Sequence, residues 1–361
     1  MNFRNAPFCM SQRSHCDKMS VQAAWEACSK TDTLFILVCS IFCWLIIPAV
    51  GLAYSGYSTR FNSLASFYPG LLAVSVCSIQ WWILGYSLAY GDGNSVFGGF
   101  GKIFHTGVLA EPVGTIPEIL FSEFQLIFCA TLWCTFIYAP LAHMVWSENG
   151  FLANLGALDF AGGTPVHICS GASATAMSLY LSYPLFRSKR SLTRTPQHLT
   201  LHKPHNTLCQ LLALIIIWNA WLAFDAGTTL ALNFKSVMAA CVTNLCAASG
   251  ALTWASLTYW DTGKWSLDST FLGAISGLVL ITPSAGFIDM TTAVGFGVLG
   301  ASLGRQALRI KFTKWAALWR WVDSGDTDVV AGMDASQMGE TLYAAQWEGE
   351  EDYHPFEGIR L

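Results

Sequence analysis

Seven stretches of this chain run on without a single Asp, Glu, Lys or Arg: Leu34–Tyr54, Pro69–Tyr90, Phe124–Val145, Pro165–Leu185, Thr207–Phe224, Ser236–Tyr259 and Thr270–Ile288. Each is close to the ~20 residues that cross about 30 Å of hydrocarbon at about 1.5 Å per residue. In hydrocarbon a single segment can satisfy its backbone N–H and C=O groups only as a helix. An eighth run, Met290–Gly304, is short for a crossing. Charged residues make up 12% of the 361, about half the share of a soluble protein. The fold class that follows is all-α, a polytopic helical membrane protein with about eight spans. It divides into an N-terminal segment (1–31), a transmembrane body (32–309) and a tail (310–361).

The twelve cysteines are scattered through the apolar runs without CxxC or His/Cys ligand spacing, so packing, and neither a metal site nor a disulfide framework, is expected. Residues 1–31 carry Arg4, Arg13, Lys18 and Glu26 without a long apolar core, which argues against a cleaved signal peptide. The net charge of −4 comes largely from ten acids between Asp323 and Glu357.

Charge also orients the chain. The loop "FRSKRSLTRTPQHLTLHKPHN" holds Arg187, Lys189, Arg190, Arg194 and Lys203 and no acid, which places it in the cytoplasm by the positive-inside rule. Arg60 and the group Arg305, Arg309, Lys311 and Lys314 point the same way, whereas 91–117 and 147–163 are glycine-rich, weakly acidic and external. The N-terminus is then outside and the tail cytoplasmic. Yet between the Arg60 and Arg187 loops, both inside, only three runs are found where an even number is required. Either one segment is re-entrant or a piece is missing near "QLIFCATLWCTFIYAP".

In "LDFAGGTPVHICSG" (158–171), Thr164 is a good N-cap and Pro165 a good first helical residue, with Gly162 and Gly163 making the turn ahead. His167 then lies in the first turn, inside the apolar zone. An imidazole there needs a partner or a function. Asp159 is expected to accept backbone N–H bonds near the helix start.

"ALDFAGGTPVHICSG" (157–171) resembles the signature of the ammonium transporter family (Amt/Mep/Rh). So do "SIQWWILGYSLAYG" (78–91), "AHMVW" (142–146), "KPHN" (203–206), "WNAWLAFDAGT" (218–228), "GAISGLVLITPSAGFI" (273–288) and "AGMDASQMGETLY" (331–343), the last most like fungal members. The resemblance runs from about residue 32 to 343. It implies a cell-membrane homotrimer of eleven-span subunits, each with its own pore. Ammonium, or methylammonium, is recognised at an outer vestibule, gives up its proton and crosses an apolar channel as ammonia. By position, Trp146 and Phe128 form an aromatic cage, Thr228 offers a hydroxyl acceptor and Asp159 organises the vestibule. Phe124 and Phe224 form a stacked gate, and His167 is the first pore histidine. No cofactor, metal, nucleic acid or enzymatic role enters this reading.

The chain departs from the family in three places. Between "QLIFCAT" and "LWCTFIYAP" the family has some two dozen further residues, here joined into one run at 124–145. If that run is one span, the helix carrying His167 is inverted and the pore is poor. After Met290–Gly304 no run matches the tenth and eleventh spans, and the second pore histidine has no counterpart. Asp225 stands where asparagine is usual, a potential anion beside the cation site. "GLAYSG" (51–56) against "LAFDAG" (222–227) is a faint echo of an inverted repeat. The first functional reading is an ammonium transporter; the alternative is a non-conducting, ammonium-sensing or regulatory relative. An intramembrane enzyme built on Asp159 and His167 lacks an activated nucleophile.

Overall fold

The computed structural model describes residues 21–58, 62–126, 134–177 and 205–310; Arg60, Phe128, most of the basic loop and the acidic tail lie outside them. α1 (Val21–Ala27) precedes the first crossing. α2 (Lys30–Trp44) starts on Ser29, whose hydroxyl accepts the Asp32 N–H, and runs into α3 (Ile46–Tyr57). α4 (Ser63–Gln80) passes through a π-helical stretch, Trp81–Gly85, into α5 (Tyr86–Tyr90). α6 (Glu118–Leu126) and α7 (Ala139–Trp146) follow, then a π-helical turn at Gly163–Ile168 that continues as α8 (169–177). α9 (Thr207–Gly227), α10 (Phe234–Thr262), α11 (Leu267–Ile281) and α12 (Met290–Ile310) complete the described helices. Among the described residues, Lys30–Tyr57, Ser63–Tyr90, Thr207–Gly227 and Phe234–Thr262 are long and apolar enough to cross a membrane.

The eighth apolar run is longer as a helix than as a run. α12 has 21 residues, about 30 Å, because the helix continues through Arg305 where the uncharged stretch stops.

The helices fall into two compact units, one of Met1–Ile46, Ala73–Ala172 and Ile216–Gly304, the other of Ile47–Leu72, Ser173–Ile215 and Arg305–Leu361. In the second, Gly51 lets α3 approach Phe67, and Gly56 lets it approach Asn206 and Gln210. His205 Nδ1 lies 3.0 Å from the Ser58 carbonyl, so the flanks of the Arg60 and Arg187 loops meet at one end, as their shared charge requires.

In the first unit, loops gather at one end. Ser29 N–H donates to the Thr115 carbonyl (2.8 Å), and the Asp32 carboxylate accepts the Leu232 N–H (2.9 Å). The buried His143 ring bridges the Ala89 and Asn94 carbonyls at 2.9 and 2.8 Å, and Phe151 N–H reaches Ser95. A two-residue hairpin, Pro112–Val113 against Ile116–Pro117, lies in the same loop region, and α6 leaves directly from it.

The run 124–145 is not one straight helix. Trp81 donates its indole N–H to Ser122 on α6 at 3.1 Å and packs its ring 6.5 Å from that of Tyr138, just ahead of α7. Sixteen residues of straight helix would separate those two by about 24 Å. α6 leaves the loop end and α7 returns to it, which removes the parity conflict and with it the inversion of the helix carrying His167.

That helix also starts differently from expectation. Thr164 makes no side-chain cap; the buried Asp159 carboxylate does the capping, its Oδ1 accepting the N–H groups of Gly162 and Gly163 at 2.8 and 2.7 Å and its Oδ2 that of Thr164 at 2.5 Å. The expected role of Asp159 as acceptor holds, and because its two oxygens take three donors the hydroxyl has nothing left to cap. Gly162 sits at φ 107°, a conformation that disfavours a side chain.

α10 and α11 pack through glycines. A Cβ on Gly250 would lie 2.5 Å from the Gly273 carbonyl oxygen, and one on Gly277 2.6 Å from that of Cys246. Small residues let helix backbones close up where lipid supplies no hydrophobic drive between them. Gly277→Val should therefore cost roughly 1–3 kcal/mol by overpacking, seen as a lower thermal midpoint of the purified protein in detergent. Asp159→Ala strands three buried N–H donors at about 1–3 kcal/mol each; it should lower the midpoint further than Asp159→Asn, which keeps an acceptor oxygen.

Candidate functional site

On α9, Trp221, Phe224 and Thr228 are spaced i, i+3 and i+7, so they share one face of the helix. Opposite them, α6 brings Phe124, buried at 1% exposure. Its ring lies across Gly227, where a Cβ would come within 2.8 Å of it. From the end of α7 comes Trp146, whose indole N–H donates to the Asp159 carbonyl at 3.1 Å and whose ring edge rests against Gly162. The carboxylate that caps the next helix therefore belongs to the residue whose backbone holds this indole in place.

Trp146, Phe124, Phe224 and Thr228 border one small cavity of about 40 Å³, together with Tyr90, Phe121, Gln125, Phe160, Ala161 and Leu230. A water-sized occupant needs about 10–15 Å³ on this measure, so the space suits one small polyatomic ion and little else. No charged side chain lines it. The Thr228 hydroxyl spends its proton on the Phe224 carbonyl at 2.9 Å, which leaves its lone pairs free to accept from an occupant.

Below the cavity the rings continue. Phe224 packs edge-on against Trp221 with centroids 5.9 Å apart, and Trp221 stacks on His167 at 5.2 Å and 19°. The Trp221 indole N–H is held by Thr282 Oγ1 at 2.9 Å. His167 Nε2 is buried and has no hydrogen-bond partner among the described residues. The imidazole therefore faces an apolar environment with one nitrogen unspent. It also borders a second, more open cavity of about 380 Å³ between the Gly163–Ile168 turn, α11 and α12.

Of the residues singled out from sequence, the structure brings Trp146, Phe124, Phe224 and Thr228 to one cavity and puts His167 one ring beyond. Asp159 stands behind the wall and does not line it; Phe128 lies outside the described residues. Asp225 is a correction: it is fully buried and turned toward α10, its Oδ2 accepting the Thr243 hydroxyl at 2.5 Å, and it does not border the cavity. Its neighbours Phe224 and Thr228 occupy the cavity face, and about 100° per residue carries Asp225 off it.

Sequence reasoning missed Tyr90, Phe121, Phe160 and Trp221. The signal was present for two of them: Phe121 precedes Phe124 by three residues and Trp221 precedes Phe224 by three, each pair on one helix face. Tyr90 reaches the site through a ladder of rings, Trp81–Tyr86, Tyr86–Tyr90 and Tyr90–Phe121, at 5.9, 5.6 and 5.0 Å. Phe160 is held by its own backbone N–H on the Pro283 carbonyl at 3.0 Å, a long-range contact with no local sequence mark.

The family model described as "Ammonium Transporter Family" matches residues 34–132 and 126–333, two stretches that meet where α6 and α7 are joined. The chain is 32% identical to Ammonium transporter 1 of Schizosaccharomyces pombe over 78% of its length and 60% of that relative's. It is 34% identical to Ammonium transporter MEP2 of Saccharomyces cerevisiae over 77% and 60%. It therefore spans about 60% of the length of these two relatives. The crystal structure of Candida albicans Mep2 superposes with a TM-score of 0.72 at 34% identity, covering 82% of this chain and 71% of that one. Matched by the family model over most of its length and sharing this helical fold, the chain is a member of the ammonium transporter family.

Proposed function

We propose that the protein moves ammonium, or methylammonium in its place, across a lipid bilayer, taking the cation at the aromatic cavity and passing neutral ammonia along the apolar path toward His167. The observation that carries this is the cavity itself: water-sized, uncharged, walled by Trp146, Phe124 and Phe224, and provided with the Thr228 acceptor. Aromatic faces attract a cation by about 2 kcal/mol or more once it is desolvated, and the hydroxyl selects a cation that can donate an N–H. A spherical alkali ion has no such donor. Beyond Phe224 a charge would face an idealised cost of order 20 kcal/mol in a low-dielectric interior, whereas ammonia does not. The proposal includes a homotrimer in the cell membrane. Exposed apolar side chains such as Leu34, Ile41 and Ile79 give a surface that hydrocarbon or neighbouring copies cover. It also includes an external N-terminal segment (1–31), a transmembrane body (32–309) and a cytoplasmic tail (310–361), on the charge pattern of the loops.

The test is uptake of methylammonium by liposomes holding the purified 361-residue chain. Saturable uptake is expected. Trp146→Ala should raise the half-saturation concentration about thirtyfold, the equivalent of about 2 kcal/mol, and Thr228→Ala about tenfold, through loss of an acceptor to a charged donor. Absence of saturable uptake, or unchanged half-saturation in both variants at matched protein content, would overturn the proposal.

A further inference from the structure

A second cation sits on the same aromatic wall. Lys235, in the first turn of α10, directs its Nζ over the rings of Phe160 and Phe287, 5.3 and 4.7 Å from their centroids. Those two rings meet edge to face at 5.8 Å, and Phe160 is one of the residues that border the 40 Å³ cavity. The arrangement is built. A Cβ on Gly286 would lie 2.8 Å from Lys235 Cε and would clash with the Phe160 ring, so the glycine leaves room for both. Helix stability does not account for the lysine: a positive charge in the first turn opposes the helix dipole. No carboxylate pairs with it among the described residues.

We infer that Lys235 is an affinity-setting residue for the vestibule, a tethered alkylammonium that acts through Phe160 to weaken the hold on an ammonium ion. The inference rests on the proposed function of the cavity. Its physics is the competition of two cations for one aromatic wall. The Lys235 charge draws the electron density of Phe160 toward itself and repels a second cation beyond the ring. With Nζ 5.3 Å from the ring centroid and a bound cation within about 6 Å of the ring, the two charges stand about 10 Å apart. At an effective dielectric of about 30, that repulsion weakens binding roughly fivefold. A vestibule held below its greatest affinity releases the cation to the next step more readily, because a site that binds too tightly slows turnover.

The test measures methylammonium uptake in liposomes with wild type, Lys235→Met, Lys235→Gln, Lys235→Glu and Lys235→Arg. Lys235→Met and Lys235→Gln should lower the half-saturation concentration roughly fivefold without a matching rise in maximal rate. Lys235→Glu should lower it further, and Lys235→Arg should stay near wild type. The gap between wild type and Lys235→Met should narrow as ionic strength rises, because salt screens a charge effect and leaves a packing effect alone. A packing role alone would raise half-saturation or cut protein yield in every variant and show no salt dependence. Trp146→Ala in the same assay separates the two ideas. If it weakens recognition while Lys235→Met and Lys235→Gln leave half-saturation unchanged or raised, the role of Lys235 is refuted. If Trp146→Ala has no effect, the vestibule reading itself fails.

Discussion

The carboxylate of Asp159 holds together more of this structure than any other side chain. It accepts three consecutive N–H groups at the start of the helix bearing His167, and the same residue's carbonyl receives the indole of Trp146. In hydrocarbon those donors have no water to turn to, so the helix can begin at this depth only if one compact acceptor serves all three. An ionised carboxylate does so with charge-assisted bonds. Its position also explains the glycines: Gly162 and Gly163 bring their N–H groups in to the carboxylate because no side chain stands in the way.

From that fixed point the site is built by rings in contact. Trp146 forms one wall, Phe124 presses on Gly227, and Phe224, Trp221 and His167 follow one another along the path. Aromatic side chains suit both ends of the task. Their faces attract a cation where it enters, and their bulk excludes water and charge further in. A carboxylate in the wall would bind a cation more tightly and release it less readily; the two acids nearest the path, Asp159 and Asp225, are both turned away from it, into backbone donors and Thr243.

Much of this was legible in order along the chain. The uncharged runs located the crossings because a charge-free stretch of that length has few other uses, and the spacing of Trp221, Phe224 and Thr228 put them on one helix face. The acceptor role of Asp159 followed from its place ahead of a glycine pair. Three readings went astray for a common reason. The run 124–145 looked like one helix, Thr164 like the cap, and Asp225 like a cavity residue, because hydropathy and adjacency are one-dimensional and do not say which way a segment turns or a side chain points.

The sequence by itself determined that the chain is a bundle of membrane-crossing helices, that its loops differ in charge from end to end, and which residue types its site would use. These are properties of local composition, set by the cost of placing charge or unpaired backbone in hydrocarbon. Tertiary structure alone decided that α6 and α7 turn back on each other, that Tyr90, Phe121 and Phe160 complete the cavity, and that Lys235 lies on its wall. Those arrangements depend on contacts between residues far apart in the chain, such as Phe160 with Pro283 and Lys235 with Phe287, and packing of that kind leaves no periodic mark in the sequence of either partner.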